Sequence, residues 1–145
     1  MEIKNHILVA LLLSAALALP VLSAGSLPDK ISSYAKENLV LTVTPAKPLG
    51  SAGEMREHIL RTAINREWNV VDDDREKNLV VINLVHRRND STLYIVYDAE
   101  RARYYSDSWR LNRRGDRVRR DEPTGWLGNL EGDLKRSINE AALGL

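Results

Sequence analysis

Cysteine is absent from this 145-residue chain. That excludes disulfides, thiolate nucleophiles, Cys-ligated zinc and a lipid-bearing cysteine. Histidine is scarce, three in all, and only His58 and His86 lie beyond an N-terminal apolar run. So few imidazoles leave little choice of base for a serine nucleophile. G-x-S-x-G, Walker, G-x-G-x-x-G and H-E-x-x-H patterns are missing as well. The inventory points away from an enzyme, and no cofactor is expected. Charge of either sign is not in excess: 21 basic and 20 acidic residues leave a formal +1, so the net field selects no partner. Neither an internal repeat nor a low-complexity segment is visible.

What is present begins with a leader. Lys4 supplies a charged start, residues 7–19 ("ILVALLLSAALAL") are uncharged and mostly apolar, and Pro20 precedes the small residues of "VLSAGS". This three-part layout predicts a secretory signal peptide over residues 1–25, cut after Ser23 or after Gly25. An uncleaved membrane anchor is the alternative, but the continuous run is short against the ~20 residues a span requires. Export to the periplasm follows, and with it the loss of nucleic acid as a partner. The remaining ~120 residues suit one domain.

A polar lead, residues 26–37, is read as disordered or as a short turn of helix. "NLVLTVT" (residues 38–44) alternates like a strand, and "PAKPLGSAG" must be a loop. Ser51 and Glu54 form a capping box opening a helix with Met55, Ile59, Ala63 and Ile64 on one face, ending near Asn65 to Glu67. Strands then follow at hairpin spacing: "WNVVD"; "NLVVINLVH", apolar at nearly every position and so expected to be central; "TLYIVYD"; and "RYYSDSWRL". Thr124 is an expected N-cap for a last helix carrying Trp126, Leu127, Leu130, Leu134, Ile138 and Ala141 along one stripe. The fold expected is α+β, in the order β-α-β-β-β-β-α. Residues 38–145 make one domain, an antiparallel sheet of four to five strands with two helices packed on one face.

Charge is uneven along the chain: residues 75–120 hold twelve basic and six acidic residues. The densest part, "RLNRRGDRVRRDEP", carries Arg110, Arg113, Arg114, Arg117, Arg119 and Arg120. Pre-organised guanidinium groups would bind carboxylates or phosphates bidentately. Tyr105 and Trp109 on the adjoining strand would add contact area. The simpler reading is a solvated loop in which Asp116, Asp121 and Glu122 neutralise half the charge, and surface pairs of that kind are worth only ~0–1 kcal/mol. "RGD" at residues 114–116 is most simply a charged turn. A rival site lies in the cleft between sheet and helices, where Glu54, Glu57, His58 and His86 would be the polar groups of a ligand-holding or hydrolytic domain. The simpler reading of His58 is an exposed helix face opposite Ile59. "DDD" (residues 72–74) lacks the glycine and distal glutamate of a calcium loop and reads as a solvated turn. The tyrosines and Trp109 near arginines are better explained as sheet packing than as a nucleic-acid surface: Leu93, Ile95 and Tyr97 share one strand face, Tyr94 and Val96 the other.

Three stretches, "MREHILRTAINREWNVVDDD", "YIVYDAERARYYSDSWRLN" and "GWLGNLEGDLKRSI", resemble a family of small uncharacterised exported proteins and lipoproteins of Gram-negative bacteria. The matching positions are core and turn positions over about 80 residues, residues 55–134. That family's Asn-Leu pair after the fourth strand is Arg110-Leu111 here, and its Tyr-Asn pair before the helix tryptophan is Thr124-Gly125. By topology the chain also looks like the helix-grip modules of outer-membrane assembly lipoproteins, a likeness of fold that does not carry function. The resemblance implies the fold and export rather than an activity. The expected protein is therefore a non-enzymatic periplasmic accessory or binding module, whose partner is an envelope protein or an anionic envelope lipid.

Overall fold

The structure, a computed structural model, describes residues 26–145. The signal-peptide reading concerns residues 1–25 and lies outside them. The elements are α1 (Ser33–Lys36), β1 (Leu39–Val43), α2 (Ala52–Asn65), β2 (Asn69–Asp74), β3 (Leu79–His86), β4 (Asn89–Tyr97), β5 (Ala102–Leu111), β6 (Arg117–Arg120) and α3 (Thr124–Ala142). The α+β class and the expected order hold, with one more strand than expected. Strands run β1–β5–β4–β3–β2, all antiparallel, and β6 joins β5 off that path. β1 pairs with the first half of β5 and β6 with its end. The two short strands thus share one outer position, and the sheet is five strands wide but contains six.

Local chemistry explains most of the elements. Ser51 Oγ accepts the Glu54 N–H at 3.1 Å, satisfying an orphan donor of the first turn of α2, while Glu54 Oε2 reaches back to accept the N–H of Gly50, the residue before the cap, at 2.9 Å. Met55, Ile59 and Ala63 of α2 are buried, but Ile64 is 63% exposed, one position beyond the buried stripe. α3 contributes Leu127, Leu130, Leu134 and Ile138 to the same core. Its N-cap is Pro123, with no side-chain cap bond, so Thr124 is the first helical residue and does not cap. Both long helices lie on one sheet face, over Val80, Ile82, Leu93, Ile95 and Tyr104. Burial pushes the Tyr104 phenol far above its ordinary range.

The opposite face is covered as well, and by the polar lead. Ser32 Oγ caps α1 by accepting the Ala35 N–H at 3.2 Å. Ile31 and Ala35 then pack on Leu79, Val81 and Tyr105 as a second core, with Tyr94 and Val96 against it. Four successive β3 residues, Leu79 to Ile82, are consequently buried on alternating sides. That accounts for a strand apolar at nearly every position. β3 is nevertheless one strand from the β2 edge, and β4 is the middle strand. The acids Asp72, Asp73 and Asp74 belong to β2 rather than to a turn. Lys30 holds Asp72 and Asp74, each at 3.1 Å, and Arg56 pairs with Asp73.

Candidate functional site

The arginine stretch is not a loop. Its first residues end β5, residues 112–116 turn, and β6 returns along β5 with Trp109 opposite Arg120, Arg110 opposite Arg119 and Leu111 opposite Arg117. Asn112 builds the turn. Its Oδ1 accepts the N–H groups of Arg114 at 2.8 Å and Asp116 at 3.0 Å, and its Nδ2 donates to Asp116 Oδ2 at 2.9 Å. Gly115 sits at φ 89°, a left-handed position that suits glycine. The Arg-Gly-Asp tripeptide is therefore accounted for by turn construction.

Within this hairpin the six arginines divide. The Arg120 guanidinium lies between the rings of Tyr34 and Trp109, its carbon 3.4 Å from each centroid, and pairs with Asp107. Asp107 also accepts from Trp109 Nε1 at 2.8 Å. The arrangement ties α1, β5 and β6 together through cation–π and charged hydrogen bonds. Arg117 donates to Asp90 Oδ2 at 2.8 and 3.1 Å, and Arg110 Nη1 donates to Asn89 Oδ1 at 3.0 Å. Arg113, Arg114 and Arg119 are exposed and have no carboxylate within 4.0 Å among the described residues. Neutralisation comes from Asp90 and Asp107 on the strands, not from Asp116, Asp121 and Glu122. Asp116 is held by Asn112, and Glu122 Oε1 accepts from Asn38 Nδ2 at 2.5 Å. Tyr105 is 5% exposed inside the second core and offers no contact area. Trp109 is half-buried and already carries Arg120.

Two further arginines join the free set. Asn89 pairs with Arg110 across β4 and β5, and Leu111 N–H donates to the Arg88 carbonyl at 2.7 Å. The β3–β4 turn, Arg87-Arg88, is thereby brought to the same end of the sheet as the β5–β6 turn. Both residues are exposed, and neither has a carboxylate within 4.0 Å among the described residues. Arg87 holds φ 56° at the first position of a two-residue hairpin turn, a place glycine prefers. The turn itself is readable in "HRRNDS". Its proximity to Arg110 is a matter of strand pairing, which no local signal shows.

The rival set does not converge. His58 is buried on α2 rather than exposed, with Nδ1 2.8 Å from Ser137 Oγ of α3. Burial first, then the neighbouring Arg61 charge, lowers its pKa against the opposing pull of Glu54 and Glu57. Glu54 serves the helix cap and Glu57 is exposed. His86 is exposed at a strand end, its ring edge-on to Trp126 at 6.2 Å. Among the described residues no group of three or more His, Asp or Glu side chains is placed to hold a metal ion, and no helix is long and apolar enough to cross a membrane. Compared with protein-family models, curated proteins and solved structures, the chain finds no match.

Proposed function

We propose that this is a non-enzymatic periplasmic binding module of the cell envelope that docks its arginine-bearing sheet end on anionic envelope lipid. One observation carries the reading: the β3–β4 turn and the β5–β6 hairpin gather Arg87, Arg88, Arg113, Arg114 and Arg119 at one end of the sheet, exposed and, among the described residues, with no carboxylate within 4.0 Å. Guanidinium groups free of internal ion pairs are available to lipid phosphates, which they bind with two parallel hydrogen bonds. The leader motivates the location, and phosphates are the abundant fixed anions of that compartment. His58 on α2 and His86 at the end of β3, on different elements, support a role without catalysis.

Magnitude sets the character of the docking. A basic residue near an anionic membrane contributes about 1 kcal/mol. Five therefore give an association weak for a lone molecule, about 0.2 mM, and sensitive to salt. The test is flotation of the protein comprising residues 26–145 with vesicles of phosphatidylglycerol and phosphatidylethanolamine, beside vesicles of phosphatidylethanolamine and phosphatidylcholine. Wild-type protein should float with the anionic vesicles alone. Combined Arg113→Gln, Arg114→Gln and Arg119→Gln should lower the bound fraction at least tenfold while the circular dichroism spectrum stays the same. Equal flotation of wild type and variant would overturn the proposal.

A further inference from the structure

Below the arginine end, an open cleft of about 470 Å³ lies between the β3–β4 turn and the start of α3. We infer that this cleft binds a hydroxyl-rich ligand, a saccharide. Arg87 belongs to both the cleft and the arginine end, but saccharide binding in the cleft does not require lipid docking.

Ser91 lines the cleft from β4 with 0% of its surface exposed, and its Oγ has no hydrogen-bond partner among the described residues. Glu122 lines the other side. Its Oε1 is taken by Asn38, while its buried Oε2 has no partner. Buried polar atoms without partners are rare, and a ligand that completes them is one explanation of their presence. The N-terminus of α3 opens on the same space, since Thr124 and Gly125 line the cleft and no side chain caps the helix. Its first-turn N–H groups are donors.

The charges of the lining decide the ligand class. Arg87 and His86 stand with the helix N-terminus as donors, and Asp121 and Glu122 stand as acceptors. A bare anion would meet two carboxylates; a bare cation would meet a guanidinium and the positive end of a helix. A hydroxyl group both donates and accepts, so a polyhydroxylated ring can satisfy both sides at once. Trp126 adds a flat apolar wall. It is half-buried, edge-on to Trp68 at 5.9 Å and to His86 at 6.2 Å. Trp126 and His86 also line an adjoining cleft of about 370 Å³ with Asn65, Glu67 and Asn129. The two spaces share Trp126 and His86 as lining residues, with polar groups to either side. Each falls in the size range of ordinary small-molecule sites, and the pair suits a chain of sugar units better than a single compact metabolite.

Amide NMR of residues 26–145 titrated with N-acetylchitotetraose, with cellotetraose and with sodium phosphate tests this. The expected result is saturable shifts at Asn89, Gly125 and Trp126 with at least one of the two sugars. Ser91→Ala and Glu122→Gln should each weaken the affinity about tenfold, as expected for one hydrogen bond to a buried group. Their other resonances should stay in place, because Ser91→Ala removes an unpartnered hydroxyl and Gln keeps the acceptor that meets Asn38. Three results would overturn the inference: no saturable shift with either sugar, unchanged affinity in both variants, or phosphate shifting the same amides as strongly as sugar.

Discussion

Arg113 and Arg120 come from one short stretch and have opposite surroundings. Arg120 is clamped by two rings and Asp107, whereas Arg113 stands on a turn with no carboxylate within 4.0 Å among the described residues. Composition marks both as arginines in a basic segment. Only the pairing of β5 with β4 and β6 brings Asp90 and Asp107 to some of them and leaves the rest free. Tyr105 shows the same limit, since its face of β5 is covered by Ile31 and Ala35 from a lead that looks merely polar. His58 differs again: its spacing from Glu54 suggests a shared exposed face, yet α3 covers it and Ser137 takes its Nδ1. A histidine whose folded pKa is lowered makes stability rise with pH, because the unfolded chain binds the proton more tightly. That contribution is complete above the unfolded value of about 6.5 and is lost as pH falls below it toward the folded value. The thermal midpoint should therefore fall between pH 7 and pH 5 in the wild type and change much less in His58→Gln. Parallel curves for the two proteins would show that His58 is not the group responsible.

At the scale of elements, signals that are local in sequence are the legible ones. The Ser51–Glu54 box places the start of α2 because capping is chemistry between near neighbours. Continuous apolarity in β3 announces burial on both faces, and period-2 alternation in β4 assigns its two sides correctly. β6 escapes notice for a physical reason. Val118 stands alone among arginines, so no apolar pattern marks the strand, and its pairing with β5 is supported by Arg120 stacked on Trp109. The β3–β4 turn carries the clearest conflict between local preference and what is present, an arginine at φ 56°. Left-handed backbone costs a residue other than glycine about 1–2 kcal/mol, part of which glycine returns through its freer unfolded chain. Arg87→Gly should thus leave urea stability unchanged or raise it by up to about 1 kcal/mol, while weakening attachment to anionic vesicles. A clear loss of stability would mean that the Arg87 side chain holds the hairpin together.

Taken whole, the molecule is a sheet with a large core under two long helices, a small core under the N-terminal lead, and charge sorted toward one end. The nearly balanced total of +1 conceals this, because the acids of β2 are paired with Lys30 and Arg56 while five arginines of the two hairpins have no carboxylate within 4.0 Å among the described residues. The layered architecture was largely readable from periodicity and turn chemistry. The candidate site was readable only in part, since its membership depends on which hairpins share an end of the sheet. Docking by exposed guanidinium groups must be screened by salt, with a Debye length of about 10 Å at 0.1 M falling to about 3 Å at 1 M. The decisive measurement is the fraction of wild-type protein floating with phosphatidylglycerol-containing vesicles as sodium chloride is raised from about 50 mM to 1 M. Flotation should be greatest at the lowest salt and decline steadily to the level seen with uncharged vesicles at the highest. Flotation that is insensitive to salt, or no flotation even at about 50 mM, would contradict docking by these groups.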